Sequence, residues 1–486
     1  MTIRDLKPAR VFEIFDEITK VPRPSKREEK IRQYLIDFAH KHNIEVTTDP
    51  IGNVLMTVPA TPGHEDAPVV ILQGHMDMVC ESNDKNFDFY NTPITTIVEG
   101  EWVRADGTTL GADNGIGVAA SLAAITEPTL VHGPLKVLVT VDEETGMTGT
   151  NNLGPDMLKG DILLNLDSED DAQVFVGCAG GVDTTATFTY NREMAPADFH
   201  YFKFEISGGL GGHSGSDIHL GRLNANRQLA RFLFMLMKKH DIVLCEIDGG
   251  NLRNAIPRAS HAIFGVKASK KEDVVVAFNQ YLADIENEYG DIEKTLKITL
   301  ETAEHPEFAI DSDTTSRLVK ALFCAPPGAE AMSRSIEGVT ETSTNLASVK
   351  MLPDCKVLVT TSQRSFIESR KWELAYRVEA VFALAGAEVT HGDGYPGWQP
   401  NMDSKIMKIA SDAYEELYHI KPLVTAIHAG LECGLFLTQN PDLDMVSFGP
   451  TLQGVHSPSE RMHIPAVERF WEQLKRIIEK VADMKK

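Results

Sequence analysis

Three short, unbroken apolar runs, each ending in acids or histidine, constrain this chain most. Residues 69–73 run into Gly74-His75-Met76-Asp77, 134–141 into Asp142-Glu143-Glu144-Thr145-Gly146, and 162–166 into Asp167-Ser168-Glu169. A strand without polar alternation is expected to be buried on both faces, as in a sheet covered by helices. Charges at the end of such a strand lie where leaving them unpaired is costly, and bound metal resolves that cost. Two further segments carry ligand-type side chains. Gly111-Ala112-Asp113-Asn114-Gly115 opens a small-residue stretch reaching Ile125, and Gly454-Val455-His456-Ser457-Pro458 lies near the C-terminus. Five such clusters are hard to explain as packing, and together they fit a two-metal hydrolase site. Zinc takes imidazole nitrogen and carboxylate oxygen, and two ions about 3.5–4 Å apart need a carboxylate able to bridge them.

Taken singly, each cluster has a plainer reading. His75 and Asp77 share one face of an extended chain, which suits a ligand and a carboxylate orienting its ring, but also a polar strand end. Asp113 can bridge two cations, and is equally a good helix N-cap. Glu143 and Glu144, if extended, point to opposite sides, one toward metal and the other toward substrate as general base. A solvated acidic turn is the alternative. His456 sits in a loop, where an unliganded histidine is ordinary.

With 486 residues the chain predicts two or three domains. Strands alternating with helices predict an α/β layer architecture with ligands at the carboxyl ends of the strands. Helices are expected over 9–18, 26–40 (with Ser25 as N-cap) and 404–419. From about Asp183 the pattern changes to alternating Ala186-Phe188-Tyr190 and Phe202-Phe204-Ile206, followed by helices over 222–239 and 271–289. This predicts an inserted α+β domain. Because His456 must return to His75, the metal-binding domain is expected to be discontinuous, 1–186 with 396–486, around an insert of 187–395.

The net charge of −23 argues against nucleic acid and anionic membranes as partners. No run approaches the roughly 20 apolar residues of a membrane span, and the N-terminus lacks a signal peptide's apolar core. The six scattered cysteines fit reduced thiols in a cytoplasmic enzyme, with Cys178 and Cys433 as small buried residues.

His75-Met76-Asp77, Gly111-Ala112-Asp113-Asn114, Glu143-Glu144, Asp167 and His456 match the order and spacing of the M20 co-catalytic zinc peptidases, which the chain resembles. Among these it is most similar to the bacterial aminoacyl-histidine dipeptidases (peptidase D, or Xaa-His dipeptidases). That narrower likeness rests on Gly177-Cys178-Ala179-Gly180-Gly181, Leu252-Arg253-Asn254-Ala255-Ile256-Pro257-Arg258, Tyr395-Pro396-Gly397-Trp398-Gln399-Pro400 and His428-Ala429-Gly430-Leu431-Glu432-Cys433-Gly434.

The resemblance implies a mixed central sheet flanked by helices and an inserted lid and dimerisation domain, hence a homodimer. It implies two zinc ions, replaceable by cobalt or manganese. His75 and Asp167 would hold one and Glu144 and His456 the other, with Asp113 between them and a cis peptide following it. Position at the strand end and this pattern together select Asp167 over Glu169, Asp170 and Asp171. Asp77 would hold the His75 ring, Glu143 would be the base, and His213 would polarise the scissile carbonyl. Asn254 and Arg364 would bind the substrate backbone and C-terminal carboxylate. Without the resemblance, His213 reads as a histidine in a flexible glycine-rich stretch and Arg364 as a surface arginine on a strand. The implied substrate is an unblocked dipeptide, Xaa-His (carnosine-like) among others, with His at the second position a family-level preference. Alternatives are an acyl-amino-acid deacylase or tripeptidase on the same scaffold, or a metal-binding protein without turnover.

Overall fold

The computed structural model describes residues 2–485. The chain divides into two compact units. One comprises the residues up to Gly177, Trp398–Ala426 and those from Leu431 on; the other comprises Cys178–Gly397 with Ile427–Gly430. The first break falls before the expected 186/187. The strand Gly180–Thr189 pairs along its whole length with Lys356–Ser365 and so belongs entirely to the insert. The short return of Ile427–Gly430 to the insert has no counterpart in the sequence reading.

The first unit is built on an eight-stranded mixed sheet. At its centre Leu135–Thr140, Val70–His75, Ile162–Asn165 and Asp444–Ser447 run parallel in that order. Val54–Val58 joins antiparallel to Leu135–Thr140, which makes the sheet mixed. Every residue of Val70–His75 and Ile162–Asn165 is buried, which is why neither run alternates in sequence. Register brings the strand ends level: His75 faces Thr140, and Asn165 faces both Gln73 and Ser447. The segments following these strands therefore emerge side by side.

The helix Ala112–Ala124 packs on Val70–His75 and on the helix Ala9–Thr19. Its glycines permit this closeness, since a Cβ at Gly117 would collide with the Leu166 carbonyl. Ser25 is not the cap of the second helix. Lys26 adopts a left-handed conformation (φ 66°), the helix begins only at Glu29, and Ser25 Oγ instead donates to Asp77 Oδ2 at 2.8 Å.

The second unit carries an eleven-stranded sheet. Its core joins Phe204 and Phe264 from strands to Phe232 and Tyr281 from the helices Ala225–Met237 and Lys271–Tyr289. Phe204 and Phe232 stack with centroids 4.4 Å apart. In Gly180–Thr189 buried and less buried positions alternate from Val182 on, as the Ala186-Phe188 pattern predicts, while Gly180 and Gly181 are both buried. None of the six cysteines forms a disulfide, and Cys178 and Cys433 are buried. No helix among the described residues is long and apolar enough to cross a membrane.

Candidate metal centre

At the ends of the parallel strands, two histidines converge on one carboxylate. His75 Nε2 lies 3.0 Å from Asp113 Oδ1, and His456 Nε2 lies 3.1 Å from Asp113 Oδ2. Each histidine has a further acidic neighbour: Asp167 Oδ1 is 3.3 Å from His75 Nε2, and Glu144 Oε2 is 3.1 Å from His456 Nε2. The other ring nitrogen of His75, Nδ1, faces Asp77 Oδ1 at 3.3 Å. All five expected ligands are thus gathered, and the peptide joining Asp113 to Asn114 is cis.

Glu143 and Glu144 are not extended. They open a single helical turn, Glu143–Gly146, entered through Asp142 at φ 51°. The turn forms because fully buried Asp77 accepts the Glu143 N–H at 3.1 Å and the Glu144 N–H at 3.2 Å. Successive side chains on such a turn are splayed by about 100° rather than opposed. Asp77 therefore fixes the His75 ring and the glutamate turn together.

The local charge balance calls for cations. Burial raises the carboxyls of Glu143 and Glu144, pushes Asp167 up to about 7 and Glu169 up to about 8. Burial also opposes a charge on His75, but Asp167 and Asp113 outweigh it and hold the ring well above its ordinary value. Hydrogen bonds to Asp113 and Glu144 raise His456 to about 11. Glu144 Oε1 and Asp167 Oδ1 are buried acceptors with no aligned donor among the described residues. Buried acceptors of this kind are normally satisfied, and a divalent cation would satisfy them here. The donors are imidazole nitrogen and carboxylate oxygen, and the ligand atoms of His75, Asp113 and Glu144 lie within 4.8 Å of one another. A second acidic group, Glu28, Asp77 and Asp142, is different: each of its carboxylates accepts hydrogen bonds from the chain.

Three buried supports escaped the sequence reading. Glu432 accepts Gln73 Nε2 at 2.6 Å and the Thr150 hydroxyl. Arg23 donates to the carbonyls of Met76, Asp77 and Gly111. Glu460 accepts backbone N–H groups from Leu110 to Asp113. All three have acidic or basic side chains in segments without a strand-end pattern, so no local signal distinguished them from surface charges.

The remaining expected residues lie in the second unit. His213 Nδ1 accepts the N–H groups of Ser216 (3.1 Å) and Gly215 (3.3 Å), which leaves the proton on Nε2. Burial, with help from Arg364, lowers its pKa to about 4, so the ring is neutral at pH 7. Asn254 is exposed, and its carbonyl accepts the Ser214 N–H at 2.8 Å, which joins its loop to that of His213.

Arg364 is not a surface residue; it is only 8% exposed, because its strand is paired on both sides. Its Nη1 donates to Tyr395 Oη at 2.9 Å, its Nε has no acceptor, and no carboxylate among the described residues pairs with it. A buried guanidinium in that condition suits an incoming anion. Beside it, His428 holds Ser343 Oγ at 2.7 Å, and burial and Arg364 lower its pKa to about 3. Tyr395 and His428 stood in the matched strings, but nothing in those strings indicated a role.

Residues 71–480 match the model of peptidase family M20/M25/M40. The cytosol non-specific dipeptidase of Escherichia coli (strain K12) is 40% identical over 480 residues, covering 99% of each chain. The crystal structure of aminoacylhistidine dipeptidase from Vibrio alginolyticus superposes with a TM-score of 0.92 at 43% identity, covering 100% of this chain and 99% of that one. Aminopeptidase PepT from Bacillus cereus shares the fold at 15% identity and a TM-score of 0.63, over 98% of this chain and 100% of its own. Members of the family are metal-dependent peptidases, and with ligand-type side chains gathered at its strand ends and a match running nearly end to end, this chain belongs to peptidase family M20/M25/M40.

Proposed function

We propose that the chain is a dizinc dipeptidase that hydrolyses unblocked dipeptides, Xaa-His among them, in the cytoplasm and as a homodimer. The observation that carries the reading is the division of the Asp113 oxygens between His75 and His456. His75 and Asp167 would hold one ion, Glu144 and His456 the other, and Asp113 both. Cobalt or manganese would suit the same donors. Likeness to the cytosol non-specific dipeptidase of Escherichia coli and the aminoacylhistidine dipeptidase of Vibrio alginolyticus supports the substrate class, and the first also supports the compartment.

Bound ions would supply Lewis acidity toward the scissile carbonyl and make hydroxide accessible near neutral pH. The rest falls to the chain. Asp77 holds the His75 ring through Nδ1, leaving Nε2 for ligation. Glu143, raised by burial, takes a proton from water and returns it to the leaving amine as the C–N bond breaks. His213 donates from Nε2 to the developing oxyanion. Arg364 receives the substrate's C-terminal carboxylate, and Asn254 its backbone.

The test is hydrolysis of Ala-His beside N-acetyl-His by metal-stripped enzyme, with and without added zinc. Zinc-restored cleavage of Ala-His alone is expected. Cleavage of N-acetyl-His instead would contradict the dipeptidase reading and make the enzyme a deacylase on the same metal scaffold.

A further inference from the structure

We infer that Glu460, working with Arg23, is a positioning residue for the metal ligands: together they lock the Asp113 turn against the segments that carry His456 and His75. The inference rests on the metal-centre reading above and concerns residues that are not themselves ligands.

Glu460 is 2% exposed and follows His456 by one tight turn, closed by its own N–H to the Ser457 carbonyl at 3.0 Å. Its Oε2 accepts Leu110 N (2.7 Å) and Gly111 N (2.9 Å), and its Oε1 accepts Ala112 N (2.8 Å) and Asp113 N (3.4 Å). The two oxygens of a carboxylate together offer about four lone-pair sites, one for each of these N–H groups. Arg23, also 2% exposed, works from the other side. Its Nη1 donates to Met76 O (3.2 Å) and Asp77 O (2.9 Å), and its Nη2 to Gly111 O. The guanidinium fits because Gly111 and Gly115 leave room for it: a Cβ at either would come within 2.5 and 2.7 Å of Nη2.

Three ligand-bearing segments, distant in sequence, are thus cross-linked by one acid and one base. Burying two charges is a poor way to gain stability, because their desolvation offsets most of the attraction. It is a good way to fix geometry, since the carboxylate oxygens accept, and the guanidinium N–H groups donate, in fixed planar arrangements. Glu460 therefore sets where the Asp113 oxygens stand relative to His456, and Arg23 where they stand relative to His75.

Glu460→Gln keeps the size but leaves one oxygen for four N–H groups and turns an NH2 toward the others. Zinc stoichiometry and affinity, read by competition with a chromophoric chelator on the full chain, are measured beside the melting temperature of metal-free protein. The variant is expected to lose about 10–100-fold in zinc affinity at one or both sites, the range typical for residues that orient ligands. Affinity equal to wild type overturns the inference, whether or not the metal-free protein melts lower, because that is the signature of a merely structural residue. If Glu460→Gln does not fold, Glu460→Asp and Arg23→Lys are read by the same criterion. Wild type that takes up no zinc would overturn the metal-centre reading together with this inference. Wild type that holds two equivalents beside an unchanged variant would overturn the inference alone.

Discussion

Glu144 lies 3.1 Å from His456, whereas its neighbour Glu143 has no histidine or other cation within ion-pair distance among the described residues. The two adjacent glutamates are thus separated by what they face: the surroundings of Glu144 suit the proposed ligand set, and those of Glu143 suit the proposed base. Glu143→Gln is expected to lower kcat by about 10²–10⁴-fold while zinc content stays at the wild-type level. Full activity in that variant would remove Glu143 as the base, and lost zinc would make it a ligand. At this scale the sequence was informative wherever chemistry followed an apolar run. His75, the Glu143-Glu144 pair and the acids from Asp167 on stand out together because each follows a run expected to be a buried strand. Choosing Asp167 among its neighbours also needed the resemblance. Glu460 and Arg23 do not stand out, since a charged residue in a polar loop looks the same whether it faces water or four backbone amides. Only the fold distinguishes the two.

The strand Lys356–Ser365 illustrates the same limit for an element. Its composition allows an edge strand with an exposed arginine, but pairing with Thr340–Leu352 on one side and Gly180–Thr189 on the other buries Arg364. Arg364→Ala is expected to raise KM for Ala-His by about 10–100-fold, as losing a charge-assisted contact of about 1.5–3 kcal/mol requires. KM for the dipeptide amide, which has no carboxylate, should hardly change, and equal effects on both would refute carboxylate recognition.

The neighbouring histidines make a prediction about acid. Burial holds His213 at about 4 and His428 at about 3, both below the ordinary value. The unfolded chain therefore binds protons that the folded chain refuses, and stability falls as pH drops from about 6.5 toward those values. The melting temperature of His428→Gln should decline less over that range than that of wild type. Parallel curves would show that His428 is not excluded from protonation.

For the whole molecule, the separation of His75 from His456 by an insert was legible because the clusters of ligand-type residues after apolar runs lie toward both ends of the chain, and the middle has few. The first boundary was less legible. Regular alternation begins only near Ala186, while the strand itself starts at Gly180, whose lack of a side chain hides the period. The close approach of Tyr395 explains those glycines, since a Cβ at Gly181 would come 2.8 Å from its ring. The metal centre gathers residues from five stretches of the first unit, each fixed by parallel strand register, by the Asp77 carboxylate or by the Arg23 and Glu460 clamps. In the proposed centre Asp113 would stand between two ions. Anomalous diffraction at the zinc edge from crystals of the zinc-loaded enzyme tests this directly. Two peaks about 3.5–4 Å apart are expected, one beside His75 and Asp167 and one beside Glu144 and His456, with Asp113 in contact with both. A single peak at full zinc occupancy, or two peaks that do not share Asp113, would contradict it.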